Sequence, residues 1–192
     1  MKNVTESAAA LYTAMQQLLE DLNKLGQDFQ LALRDEGQDF PTLEEYSWSP
    51  NALVLKKNHT WMCYQRPEDT PETGMLTFAA CMVYLQAEKH RWKLSAANLP
   101  ELWFFLGTVS PPPDIKWPST IPSFFDKKEL QHYETVPVLG GTDSYYQYIR
   151  PESTWRAVCL GFSLGDIDSA EKLKLQAVRP LIAAALKRGV IS

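Results

Sequence analysis

Apolar side chains recur at alternating steps of three and four residues near the start of the chain. The series is Ala8, Leu11, Met15, Leu18, Leu22, Leu25, Phe29 and Ala32. Because an α-helix turns once in 3.6 residues, this spacing places all of them on one face. The pattern predicts an amino-terminal helix within residues 1–37, with Asn3 and Glu6 as a capping box at its start and Gly37 at its end.

This predicted helix is long for the chain that contains it. Residues 6–36 would span about 45 Å at 1.5 Å per residue, more than the width of a compact domain of this size, so the helix must bend or project. Gly26 is the expected weak point, because glycine costs about 1 kcal/mol relative to alanine inside a helix. The spacing also matches a coiled-coil seam, but Tyr12, Leu19 and Leu33 widen the apolar stripe. We therefore expect the helix to wrap a sheet in a monomer, with a homodimer through this helix as the alternative.

Runs rich in β-branched and aromatic residues predict the strands of an antiparallel sheet. They cover residues 52–57, 60–66, 75–87, 102–109, 144–149 and 155–162. Asn58 and His59 are the expected turn of a first hairpin, and residues 150–154 join a second. Five prolines within 110–122 predict an extended surface loop.

The last predicted element is a helix over residues 168–188. Asp168 followed by Glu171 has the form of a capping box, and Gly189 follows the final basic residues. Pro180 removes an internal hydrogen bond and clashes one turn back, so a kink or break is expected at residues 176–179. The whole chain, residues 1–192, is thus predicted to form one α+β domain. In it, an antiparallel sheet of about five or six strands within 52–163 carries both terminal helices mainly on one face.

Composition and charge narrow the partners of this domain. With 19 basic and 23 acidic residues the net charge is −4, which offers no broad attraction for nucleic acid or anionic lipid. No signal-type segment and no apolar run of about 18 residues is present, so we expect a cytoplasmic protein without a membrane partner. Cys63, Cys81 and Cys159 are an odd, widely spaced set, which favours buried free thiols.

Familiar catalytic and metal-binding motifs are absent from the sequence. It contains no C-x-x-C, no H-E-x-x-H, no phosphate-binding glycine loop and no G-x-S-x-G elbow. We therefore predict no metal, no cofactor and no catalysis. The alternative is an enzyme with a dispersed acid–base site around His132, which has Glu129 three residues earlier on a short helical turn. That alternative requires His132 to converge with Asp143 and Tyr145 in one cleft.

Aromatic residues supply the remaining candidates for a binding site. Trp61, Trp103 and Trp155 lie in predicted strands, where the expected role is to fill the core. The ligand-binding candidates are Trp117, Tyr145, Tyr146 and Tyr148. Strand alternation places Tyr146 and Tyr148 on one face of the sheet and Tyr145 on the other. The sequence thus favours a non-catalytic intracellular ligand-binding, sensor or protein-interaction domain, with a small molecule or a protein as partner.

Overall fold

The computed structural model describes residues 2–48, 58–65, 76–84, 100–110, 144–149 and 154–192. Within these ranges helix α1 spans Lys2–Asp35. Six strands follow it: β1 (Thr42–Trp48), β2 (Asn58–Gln65), β3 (Leu76–Tyr84), β4 (Glu101–Ser110), β5 (Ser144–Ile149) and β6 (Thr154–Ser163). A short 3-10 turn, Leu164–Asp166, leads to helix α2 (Ala170–Lys172), a π-helical segment (Leu173–Val178) and helix α3 (Arg179–Lys187).

The described strands form one sheet in the order β1-β2-β3-β4-β6-β5, and every neighbouring pair is antiparallel. The predicted class, helices combined with an antiparallel sheet between a long amino-terminal helix and a carboxy-terminal helix, is confirmed. The second predicted hairpin is also confirmed, because β5 pairs with β6. Since β6 lies between β4 and β5, the chain reaches the sheet edge at β5 before it returns to the interior.

The first predicted hairpin is wrong. Asn58 and His59 lie inside β2, where they pair with Trp48 and Ser47 of β1 rather than forming a turn. The sheet therefore begins at Thr42, before the predicted start at residue 52. Edge strands tolerate charged side chains because one side of their backbone remains unpaired in the sheet, and this weakens the alternating pattern that identifies a strand. Residues 52–57 lie outside the described ranges.

The predicted end of α1 at Gly37 is confirmed. Gly37 has φ +83°, its N–H donates to Arg34 O at 3.0 Å, and the N–H of Gln38 donates to Leu33 O at 2.9 Å. This pair of bonds is a Schellman motif, which satisfies the last carbonyls of a helix and requires the left-handed conformation that glycine adopts at low cost. The predicted start is wrong, because the helix begins at Lys2 and Asn3 lies inside it. α1 also continues without interruption through Gly26.

The carboxy-terminal helix ends in the same way at Gly189, as predicted. Gly189 has φ +62°, and the N–H of Val190 donates to Ala185 O at 2.9 Å. The predicted cap is wrong by one residue: Ser169, not Asp168, accepts the N–H of Lys172, at 3.3 Å. A short hydroxyl side chain at this position satisfies one of the free donors of the first turn.

Helical bonding changes in the residues that precede Pro180. The N–H of Arg179 donates to Lys174 O five residues back, which is the bond of the π-helical segment. Proline has no N–H to donate, and in an α-helix its ring clashes with the carbonyl of Gln176 one turn back. A wider turn just before the proline relieves both constraints. The irregularity at Leu173–Val178 overlaps the residues 176–179 at which a kink or break was expected.

The described helices and one face of the sheet share an apolar core. Phe104 of β4 lies at its centre, with ring centroids 5.1 Å from Phe29 of α1 and 5.9 Å from Phe162 of β6. The carboxy-terminal helix contributes Leu173, Ala177, Val178, Leu181 and Ala185. On the opposite face of the sheet Phe78, Met82, Trp103 and Phe105 are equally buried. The expectation that Trp103 fills the core is therefore confirmed.

Candidate functional site

Three of the predicted ligand-binding residues lie in β5, at an edge of the sheet. The register pairs Tyr145 with Val158, Tyr146 with Ala157 and Tyr148 with Trp155. Val158 belongs to the core beneath the helices, so position 145 is on the helix-covered face and positions 146 and 148 are on the other. The structure thus separates the three positions between two faces.

The other predicted site residues lie outside the described ranges. These are Trp117, Glu129, His132 and Asp143. Whether His132 converges with Asp143 and Tyr145 stays a prediction, and so does the acid–base site built on them. The surface described below contains none of the residues that the sequence singled out for ligand binding or catalysis.

The described part of the chain contains no group of three or more histidine, cysteine or acidic residues that could hold a metal ion. It also contains no helix long and apolar enough to cross a membrane. Cys81 and Cys159 are reduced thiols, both completely buried. They lie on opposite faces of the sheet, because Cys81 pairs with Phe104 and Cys159 with Phe105.

An open groove of about 480 Å³ lies between the middle of α1 and the chain that follows β6. Its apolar walls are Leu18, Leu22 and Leu25 from α1 with Leu164, Ile167 and Leu173 from the other side. Three carboxylates and one ammonium group also line it: Asp21, Asp28, Asp168 and Lys24. An apolar recess bordered by charged groups suits an apolar side chain whose backbone stays at the surface.

Two of the three carboxylates already have partners within the chain. Asp168 accepts a hydrogen bond from Lys172 Nζ at 2.7 Å, and this bond holds the pKa of Asp168 below its ordinary value. Asp21 Oδ1 accepts a hydrogen bond from Gln17 Nε2 at 2.9 Å. Lys172 thus offsets the charge of Asp168, whereas the neutral amide of Gln17 leaves the charge of Asp21 in place.

The groove is one end of a longer apolar surface. Leu18, Leu22 and Leu25 belong to the stripe of α1 that continues towards the amino terminus through Leu11. From residue 6 to residue 14 every side chain is exposed, with Leu11 at 63% and its neighbour Tyr12 at 62%. We call residues 6–17 of α1 the outer half of the helix.

The buried part of the stripe is the part that other described elements contact. From Leu22 to Leu33 every stripe position except half-buried Leu25 is buried. The π-helical segment, β2 and α2 contact α1. The expectation that α1 wraps the sheet along its length is wrong for the outer half, which projects.

The α1 wall of the groove has the geometry of a helix-packing hole. When two helices pack side by side, an apolar side chain of one enters a space between four residues of the other. Leu18, Asp21, Leu22 and Leu25 have the spacing i, i+3, i+4 and i+7 of such a quartet, and all four line the groove. The groove can thus receive an apolar side chain from a second helix.

Comparison with known proteins gives no family for this chain. No protein-family model matches it, and the searches of curated proteins and of solved structures each returned no match. The function must therefore be inferred from the geometry of the chain itself.

Part of this surface could be predicted from the sequence. The stripe positions of α1 were identified from their spacing, and the calculated helix length required a bend or a projection. What sequence reasoning missed is the second wall, Leu164 and Ile167, because they lie in a 3-10 turn and an irregular link that have no hydrophobic period. Only the fold brings them against α1.

Proposed function

We propose that this chain is a non-catalytic protein-interaction domain that binds its partner through the outer half of α1 and the adjoining groove. The observation that carries the proposal is the exposure of Leu11 and Tyr12 on a stripe whose next turns are buried in the core. Single exposed apolar residues are ordinary on a protein surface. A continuous apolar stripe that leaves the core and enters solvent is instead a feature of interaction sites.

The shape of this surface favours a protein over a small molecule. Pockets for small ligands enclose most of the ligand, whereas this groove is only partly enclosed and adjoins the exposed turns of α1. An elongated apolar surface of this kind suits helix packing, in which side chains at i, i+3, i+4 and i+7 act as anchors. The partner in this proposal therefore presents an amphipathic helix.

The rest of the fold supports α1 as a rigid base. At its carboxyl end Glu36 accepts a hydrogen bond from Arg179 Nε at 3.0 Å, and Lys174 Nζ lies 3.3 Å from Glu36 Oε1 and 3.3 Å from Asp35 Oδ2. Phe29 and Leu33 are completely buried beside the sheet. Anchoring the inner half of the helix reduces the freedom that the outer half would lose on binding.

The proposed location is the cytoplasm. Buried, reduced thiols at Cys81 and Cys159 are compatible with a reducing compartment, where disulfides are rare. The proposed interaction depends on no disulfide and therefore needs no oxidising compartment.

Photo-crosslinking in living cells that produce the protein tests whether the proposed surface contacts a partner. A photoreactive phenylalanine analogue replaces Tyr12 in one variant and Leu31 in the other, since Leu31 is 45% exposed on the same helix but lies off the apolar stripe. We expect a discrete adduct with the probe at position 12 and none at position 31. The absence of an adduct at position 12, or equal adducts at both positions, would contradict the proposal.

A further inference from the structure

We infer that the partner of the outer half is a second copy of this chain, and that two α1 helices pack antiparallel so that each inserts Leu11 into the groove of the other. This inference rests on the proposed function, whose contact surface it uses. Its support is that one molecule carries both halves of the contact. Leu11 projects from α1, and the groove eleven residues further along the same stripe is built to receive such a side chain.

The spacing along α1 makes this contact reciprocal. Antiparallel pairing that sets Leu11 of one copy opposite Leu22 of the other also sets Leu22 of the first opposite Leu11 of the second. Ala8 then lies opposite Leu25. The Leu11 side chain enters the hole formed by Leu18, Asp21, Leu22 and Leu25, and a two-fold axis repeats the contact. Parallel pairing would instead place Leu11 against Leu11 and leave both grooves unused.

The charges of α1 are compatible with this arrangement. Asp21 and Asp28 flank the same edge of the stripe, one heptad apart. Flanking positions on this edge are offset by about two residues from the pairing of Leu11 with Leu22. The positions of the second copy nearest to Asp21 and Asp28 are therefore Ala14 and Ser7, neither of which is charged. No pair of like charges is therefore brought together along this edge, where such a pair would be destabilising.

The exposed area indicates how strong the dimer is. From the exposed fractions of Leu11 and Tyr12, these two side chains offer roughly 200 Å² per copy, taking about 100 Å² for a leucine and about 200 Å² for a tyrosine. Two copies thus bury about 400 Å² through these side chains, well below the roughly 1,200 Å² or more that stable specific interfaces bury in total. We therefore expect a weak, reversible dimer that forms at high protein concentration.

Sedimentation velocity of the purified full chain tests the association. Between low and several hundred micromolar protein, we expect the mass to move from that of one chain, 21.8 kDa, towards twice that value. Leu11→Glu should raise the dissociation constant by about tenfold or more, because a charge replaces an apolar anchor. Leu31→Glu introduces the same charge on the same helix away from the stripe and should leave association unchanged.

Both substituted positions are exposed, so both variants should keep the wild-type thermal denaturation curve, which circular dichroism checks. A wild-type chain that stays monomeric over the whole concentration range overturns the inference. So does equal loss of association in the two variants.

Disulfide trapping tests the orientation. Ser7→Cys and Asp28→Cys are made as separate variants, and each is oxidised alone and then as an equal mixture. We expect a covalent dimer only in the mixture, since position 7 of one copy meets position 28 of the other. The wild-type chain, oxidised in parallel, reports any contribution of the native cysteines. A covalent dimer of Ser7→Cys alone, at the yield of the mixture, indicates parallel helices and overturns the proposed register.

The two proposals can fail separately. A purified chain that is monomeric while its position-12 probe still forms an adduct with a different protein in the cell overturns the second copy as partner and retains the interaction surface. A monomeric chain without any adduct at position 12 overturns both.

Discussion

Replacing Gly161 by alanine should destabilise the fold through a steric conflict between two neighbouring strands. Gly161 of β6 pairs with Trp103 of β4, and the indole ring lies across the glycine. A Cβ atom at position 161 would lie 2.6 Å from Trp103 Cη2 and 2.7 Å from Cζ3. Trp103 is completely buried, and its Nε1–H donates to Glu101 Oε2 at 3.1 Å. The ring is thus held from two sides and cannot move away freely.

The size of the effect follows from this geometry. Adding one methyl group to a well-packed core costs about 1–3 kcal/mol, because side chains leave their preferred rotamers or the backbone shifts. For a chain of 192 residues each kcal/mol lowers the melting temperature by about 2–4 °C. Urea denaturation followed by far-ultraviolet circular dichroism should show a lower midpoint for Gly161→Ala with the slope m unchanged.

A matched control is available at Gly165. A methyl group at this position would meet no atom within 4 Å, so Gly165→Ala should change the free energy of unfolding by no more than about 0.5 kcal/mol. Trp103→Phe provides the second test, since the smaller ring withdraws atoms that the methyl group meets. On that background Gly161→Ala should cost less, with a coupling energy of about 0.5 kcal/mol or more. Wild-type stability of Gly161→Ala, or an equal cost on both backgrounds, would refute the reasoning.

Three further predictions concern the helix ends and the buried thiols. Gly37→Ala should lower the free energy of unfolding in urea by about 1–2 kcal/mol, because its Cβ meets no atom and only the left-handed backbone opposes it; an unchanged midpoint would contradict this. The hydrogen bond from Arg179 lowers the pKa of Glu36 from the ordinary value of 4.5, so its stabilising contribution is present above that value and is lost as the pH falls through the lowered pKa. Melting temperatures of wild type and Glu36→Gln should therefore converge in acid and also at high salt, whereas a constant difference between neutral and acidic pH would exclude this role. Cys81 and Cys159 should react with a maleimide only after unfolding, as peptide mapping by mass spectrometry would show; rapid labelling of the native chain would disagree with their burial.

Local signals in the sequence were sufficient to predict the structure where a single residue type determines the backbone conformation. Gly37 and Gly189 both end helices in left-handed conformations, which only glycine adopts at low cost. Pro180 lies directly after a change in helical bonding, because proline lacks the N–H that the α-helical pattern needs. These features depend on one residue and its nearest neighbours, so they can be predicted without the fold.

Strand pairing was harder to predict because it depends on residues far apart in sequence. Asn58 and His59 have the composition of a turn, yet hydrogen bonds with β1 on one side and β3 on the other keep them in a strand. β1 itself contains Glu44 and Glu45 and lacks a clear apolar alternation. Pairing with a neighbour overrides local preference in a sheet, and that neighbour is known only from the tertiary structure.

The candidate interaction surface also combines a feature that the local sequence predicts with a feature that depends on the fold. By itself the sequence determined that α1 is a long helix with one apolar face, because the period of its apolar residues is a local property of the chain. It could not determine which part of that face the protein covers. That depends on which elements contact the helix, namely β2 and the π-helical segment, and on the turn that brings Leu164 and Ile167 against it. The tertiary structure therefore decided that Phe29 is a core residue while Leu11, on the same stripe, is exposed to solvent and available to a partner.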